Sequence, residues 1–134
     1  MLKIHDSRVS RDGELIYEEV GQGAPLVLLH GFGANRTTWS PWLEPLAANY
    51  RCINVDLKGF GEAPLDADGS GWGIEDLAAA VVRLVHELDL SDVTLIGHSM
   101  GGGVALLAAL ELQGTTAPEG RGRVARLVSL CGAA

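Results

Sequence analysis

Cysteine is scarce in this sequence: two among 134 residues, Cys52 and Cys131. They lack the pairing and spacing of a metal knuckle or a disulfide framework, so an apolar core must hold the fold. Both sit in apolar contexts, YRCINV and VSLCGA, and are expected to be buried, reduced thiols. Positive charge is also in short supply. Ten Lys and Arg stand against 17 Asp and Glu, a net charge of -7. That balance argues against nucleic acid and against anionic membrane surfaces, because both are held mainly by Lys and Arg. The longest apolar run, residues 101–110, falls well short of the ~20 residues of a bilayer-spanning helix. The opening MLKIHDSRVSRDGE has no signal-peptide core. A cytoplasmic protein acting on a small neutral or weakly polar molecule is the expectation.

What the sequence does supply is apolar patterning. Hydrophobic residues make up 47% and charged residues 20%, the balance of a globular chain. One core is expected, burying about two-thirds of the surface that the unfolded chain exposes. Residues 2–9 and 14–20 flank Ser-Arg-Asp-Gly and read as two antiparallel strands of a hairpin. The run LVLLH at 26–30 reads as a strand covered on both faces. A helix fits 38–48, with Trp39, Trp42, Leu43 and Leu46 on one face. Strand follows at 52–56, a glycine-rich loop at 58–73, and helix at 74–88, where Ile74, Leu77, Val81, Leu84, Val85 and Leu88 repeat every three or four residues. Residues 93–96 read as strand, 100–112 as helix, 114–122 as a surface loop and 124–130 as a last buried strand. After the hairpin, strand and helix alternate, which implies an α/β fold: a mostly parallel sheet with helices on both faces and an N-terminal antiparallel hairpin. Active sites of such sheets lie beyond the carboxyl ends of the strands. That rule points to 30–35, 56–61, 97–101 and 131 onward.

One of those places carries a specific motif. Gly97-His98-Ser99-Met100-Gly101 has the G-x-S-x-G pattern at a strand-to-helix junction, where a sharp turn lifts a serine hydroxyl above the sheet. Its glycines are needed where a Cβ would collide with a neighbouring strand or helix, and the helix start offers N–H groups to developing negative charge. A second turn, His30-Gly31-Phe32-Gly33, ends the strand expected beside the elbow strand. Two other readings compete. A serine is also a common helix N-cap. Phosphate binding fits poorly, since the 31–33 turn lacks the third glycine of a dinucleotide fingerprint and the 97–103 stretch lacks the P-loop lysine.

Together, GHSMGG and HGFG resemble the α/β-hydrolase family, and the order of elements is similar to that family's N-terminal half. The resemblance implies Ser99 as nucleophile and the backbone N–H groups of Phe32 and Met100 as the oxyanion hole. His30, Gly31, Gly33, Gly97, His98 and Gly101 support the motif. It implies a small-molecule acyl substrate such as a carboxylic ester, and no metal or organic cofactor. A serine at 99, where an aspartate would mark them, argues against the dehalogenase and epoxide hydrolase branches. The loop DLKGFG at 56–61 resembles a family loop whose closing serine is replaced by Ala63, and it reads as structural.

In this family the triad runs Ser, then Asp or Glu, then His. After Ser99 there are two glutamates, Glu111 and Glu119, but no aspartate and no histidine. His5, His30, His86 and His98 all precede the serine, and none is expected to serve as base. The chain is thus expected to be the N-terminal part of a longer core, lacking the cap and the last strands, and close to inactive alone. A non-catalytic ligand-binding or assembly module on the same scaffold is the alternative. In either case residues 124–130 are expected to present an unpaired edge that self-associates or pairs with further polypeptide.

Overall fold

The computed structural model describes residues 6–131. Its elements are β1 (Arg8–Val9), β2 (Ile16–Val20), β3 (Ala24–Leu29), α1 (Ser40–Ala47), β4 (Tyr50–Asp56), α2 (Ile74–Glu87), β5 (Val93–His98), α3 (Met100–Leu112) and β6 (Val124–Leu130). A single 3-10 turn, Arg36–Trp39, leads into α1. The six strands form one sheet in the order β1-β2-β4-β3-β5-β6. β1 pairs with β2, and β2 with β4, in antiparallel fashion, whereas β3, β4, β5 and β6 run parallel. The mostly parallel architecture with an antiparallel start is the one that the alternation of elements implied.

The period-2 alternation of strand side chains divides the core into two layers. Val27 and Leu29 of β3 join Ile53, Val55 and Leu95 under α2 and α3, while Leu26 and Leu28 face the other way and join Cys52, Trp39 and Leu43 under α1. Each fully buried Val or Leu stabilises by roughly 1.5–3 kcal/mol. α2 closes the larger layer with Leu77, Val81, Leu84 and Val85, whose three- and four-residue spacing puts them on one stripe. This double burial explains why the β3 run is continuously apolar.

Several expectations need correcting. The first strand is only two residues long, and residues 2–5, His5 included, lie outside the described residues. Helix begins at Ser40 rather than 38, because Asn35 caps a 3-10 turn, its side chain accepting from the Thr37 N–H. Trp42 is 55% exposed, since 3.6 residues per turn place it about 100° around the helix from Leu43; it touches Trp39 only edgewise, with ring centroids 6.4 Å apart. β5 runs two residues further than read, so Gly97 and His98 are still strand when the elbow begins. The last strand is not buried. As the terminal strand of the sheet, β6 has all residues but Val124 exposed. Cys131, at its end, is exposed as well, while Cys52 is buried, and burial pushes its thiol up to about 11.

Candidate active site

The carboxyl ends of β3, β4 and β5 come together at one edge of the sheet, and the loops that leave them build the site. β5 hands over to α3 at Ser99, whose backbone has φ 54 and ψ -119. A positive φ is uncommon for a residue with a Cβ, and such positions cost about 1–3 kcal/mol when the surroundings impose them. Here the surroundings do. The Ser99 N–H donates to the Leu130 carbonyl at 2.9 Å and its own carbonyl accepts from the Gly102 N–H at 2.8 Å. Gly97 and Gly101 stand so close that a Cβ on Gly97 would fall onto the Gly101 carbonyl, and one on Gly101 would strike the carbonyls of Leu29 and His30. The two glycines thus let α3 start directly against β3 and β5. The Ser99 side chain makes no cap hydrogen bond, which removes the N-cap reading, and the residue is half-buried.

The turn after β3 lies across from it. A Cβ on Gly31 would sit 3.3 Å from the Ser99 Cβ and 3.4 Å from His98 Nδ1. That is tighter than an ordinary van der Waals contact, so an added Cβ would push its neighbours by a few tenths of an ångström. Phe32, the next residue, is 67% exposed. Among the described residues neither the Phe32 N–H nor the Met100 N–H donates to another group, and Ser99 Oγ has no hydrogen-bond partner. Unpaired N–H groups and a free hydroxyl are parts that an anion cradle requires.

His30 is fully buried and spoken for at both ring nitrogens. Nδ1 donates to the Gly31 carbonyl at 2.8 Å, which leaves Nε2 to accept from the Leu57 N–H at 3.0 Å. Burial pushes its imidazole below the usual histidine range, against the Gly31 carbonyl and the Asp56 charge, which pull the other way. It is a neutral spacer that ties the turn after β3 to the loop after β4. His98 is half-buried and His86 lies exposed on α2.

A second tie runs through Asp56, which is 1% exposed. Its carboxylate accepts from the Arg36 N–H at 2.7 Å, from the Glu62 N–H at 3.0 Å and from the Arg36 guanidinium. Arg36 also reaches Glu62 at 2.8 Å, and its carbonyl accepts from the Asn54 amide at 2.9 Å. A buried carboxylate would be costly alone; here it is paired and fully hydrogen-bonded. Arg36 belongs to no motif of the sequence, yet it is the cation that holds the 56–62 loop. The signal was an aspartate ending an apolar strand, which needs a cation from somewhere.

This geometry can be set beside known proteins. The family model described as the alpha/beta hydrolase fold matches residues 24–134. The chain belongs to the α/β-hydrolase family. A non-heme chloroperoxidase of Kitasatospora aureofaciens is 41% identical over 96 residues, 70% of this chain and 34% of that protein. A pimeloyl-[acyl-carrier protein] methyl ester esterase of Aeromonas salmonicida is 42% identical over 93 residues, 69% of this chain and 35% of the relative. Among solved structures, an esterase from Exiguobacterium antarcticum superposes with a TM-score of 0.80 at 32% identity, covering 98% of this chain and 46% of its own. An epoxide hydrolase from an endophytic Streptomyces gives 0.70 at 29% identity, covering 80% and 33%. The chain spans about a third of the length of the curated relatives it matches.

Of the residues singled out from sequence, the fold brings Ser99, Met100, Gly31 and Phe32 to one place, with His30, Gly97, His98 and Gly101 as its frame and Gly33 at the open end of the turn. It brings neither Glu111 nor Glu119 there by any hydrogen bond among the described residues, in which no group of three or more His, Cys, Asp or Glu could hold a metal ion. No helix among them is long and apolar enough to cross a membrane.

Proposed function

We propose that this chain carries the nucleophile and the oxyanion hole of a serine-dependent hydrolase acting on carboxylic esters or similar acyl bonds. The observation that supports this most is the Ser99 backbone, held at φ 54 between two glycines that admit no Cβ. In the reaction, Ser99 Oγ forms a bond to the carbonyl carbon and its proton passes to a general base. The carbonyl π electrons move to oxygen, and the Phe32 and Met100 N–H groups receive that charge. Collapse expels the alcohol with a proton, and water then releases the acid from Ser99. Losing one hole donor of this kind costs about 10²- to 10³-fold in rate. Fold likeness alone does not separate esterase from epoxide hydrolase, since both kinds superpose on this chain; the serine at 99 is what favours an acyl bond.

The base and the acid are the missing parts. His30 is committed at both nitrogens, and an unaided serine hydroxyl is a weak nucleophile at neutral pH. Loss of the histidine in a serine hydrolase removes about 10⁶ of turnover. The 134-residue chain on its own is close to inactive in this reading, as the N-terminal part of a longer core. The two unpaired cysteines agree with a reducing, cytoplasmic setting. A non-catalytic binding or assembly module is the second reading, favoured by the absence of His and Asp after Ser99.

Intact mass after exposure to a fluorophosphonate discriminates them. The hydrolase reading expects a slow, single adduct that disappears in Ser99→Ala and that added imidazole, an external base, accelerates. No Ser99-dependent adduct, even with imidazole, would leave the binding module as the better account.

A further inference from the structure

A feature of the site face that this mechanism does not use is a row of aromatic rings. It starts inside the protein: His30 meets Phe60 edge to face, with centroids 5.5 Å apart and planes at 74°. Phe60 meets Phe32 in the same way, at 5.5 Å and 75°. Phe32 in turn lies 6.0 Å from Trp72, with the planes splayed by 45°. The row runs from the buried imidazole to two exposed rings, Phe32 at 67% and Trp72 at 44%. Exposed large aromatics side by side leave apolar surface in water, and such patches mark binding sites.

Trp72 is held at this place by more than its neighbours. The loop that carries it packs on Lys58, whose side chain is 6% exposed and whose ammonium pairs with Glu14 at 2.6 Å and Asp66 at 2.9 Å. Gly71, with φ +84, lies so near that an added Cβ would be 2.7 Å from Lys58 Nζ. A buried lysine bridging the β1–β2 turn and the loop thus lies against the residue just before the tryptophan.

We infer that Phe32 and Trp72 form a specificity wedge beside Ser99 that takes a flat aryl group of the substrate, so that aryl esters are bound in preference to small alkyl esters. The two rings are both exposed and meet at 45° rather than stacked flat. Phe32 is the residue after Gly31, which abuts the Ser99 Cβ, so an aryl ring lodged there stands next to the attacked bond. Rings favour edge-to-face or offset contacts with other rings, and two such contacts are worth about tenfold in affinity beyond the area they cover. A methyl or ethyl group gains neither. This deepens the hydrolase reading and rests on Ser99 as its reacting centre.

The test is equilibrium binding to the ¹⁵N-labelled chain, followed by NMR at the Trp72 indole N–H, which is assigned by its loss in Trp72→Leu. Ser99→Ala chain is used, so that neither ester can be consumed, with phenyl acetate and ethyl acetate as probes. The expected result is a shift of the Trp72 indole and of the Phe32 amide by phenyl acetate, with a dissociation constant about tenfold below that of ethyl acetate. Trp72→Leu and Phe32→Leu, both at exposed positions, should each shrink that ratio to threefold or less. Equal affinities, no binding of phenyl acetate, or a ratio that survives Trp72→Leu would overturn the assignment. Because Ser99 is absent from this measurement, its outcome is independent of whether the fluorophosphonate labels the wild-type chain.

Discussion

β3 and β6 flank β5 on either side, both parallel to it and both rich in Val and Leu, yet they live in different surroundings. In β3, Leu26 is 4% exposed and Val27, Leu28 and Leu29 are wholly buried; in β6, Leu127, Val128 and Leu130 are 37% to 45% exposed. Local sequence decides that each is a strand, and neighbours decide what the strand does. On the β3 side the sheet goes on through β4, β2 and β1, α1 covers one face, and the turn after β3 is locked through His30 and Asp56. On the β6 side nothing follows among the described residues, and Leu106 and Leu110 of α3 are exposed beside the strand. The half of the site built by β3, β4 and β5 is finished within this chain. The flank at β6 leaves apolar side chains exposed among the described residues.

The contrast breaks most completely at Gly97. Alanine there would drive the start of α3 away from β5, because the Cβ meets the Gly101 carbonyl, which is backbone and cannot swing aside. Gly97→Ala is expected to lose about 3–5 kcal/mol in urea unfolding followed by circular dichroism, out of a total of roughly 5–15 for a domain. Gly33→Ala is the matched control. Gly33 has φ +76 and open space around it, so alanine carries only the left-handed backbone penalty, about 1 kcal/mol. If both variants lost the same amount, close approach would not be the reason for glycine at 97.

These two glycines also show how much could be read beforehand. The elbow was legible because a few fixed residue types, Gly-x-Ser-x-Gly at a change of apolar period, encode both the turn and the close contact. The doubly wound order was legible for the same reason: period and length are local. The Arg36–Asp56 tie was not, since its members are 20 residues apart and nothing local announces that a cation three residues beyond the HGFG turn folds back onto a neighbouring strand. The aromatic row was missed likewise, although Trp72 in the polar, glycine-rich DADGSGWG is an odd place to leave a large ring without a partner. For β6 the open edge was legible but the exposure was not, because the apolar run VARLVSL is that of a strand covered on its faces.

Self-association through the 124–130 edge is the corresponding prediction for the open flank. The strand holds no proline, lysine or acid, and Arg126 is its one charge, so little discourages pairing with a second copy. In the parallel register Leu127 stands beside Leu95 on the α3 side and Val128 beside Ile96 on the other. The edge therefore carries an apolar side chain on each face, with Arg126 on the Val128 side. Sedimentation equilibrium at micromolar concentration should show dimers or larger species, and the double change Leu127→Lys, Val128→Lys should weaken association by about a hundredfold, roughly 2.7 kcal/mol, through lost burial and like charges brought together. A monodisperse wild-type monomer would remove the prediction, and the closed side of the sheet would be unaffected.

The smallest effect tests the closed side from within. Burial holds the His30 imidazole below its usual range in the folded chain, against about 6.5 when unfolded. In the window between the two values the unfolded chain binds a proton that the folded chain refuses. Stability from this residue is therefore fully present above about pH 6.5 and is lost as pH falls toward the folded value, with a slope of at most about 1.4 kcal/mol per pH unit. Urea unfolding at pH 7.5 and pH 5.5 should show a larger loss in the wild type than in His30→Gln, which keeps a donor and an acceptor but cannot titrate. Other groups titrate in both proteins and cancel in the difference. Equal losses would mean that folded His30 takes up its proton freely. That requires the Leu57 N–H to release Nε2, and the turn carrying Phe32 would then not be pinned to β4 as the finished side of the sheet demands.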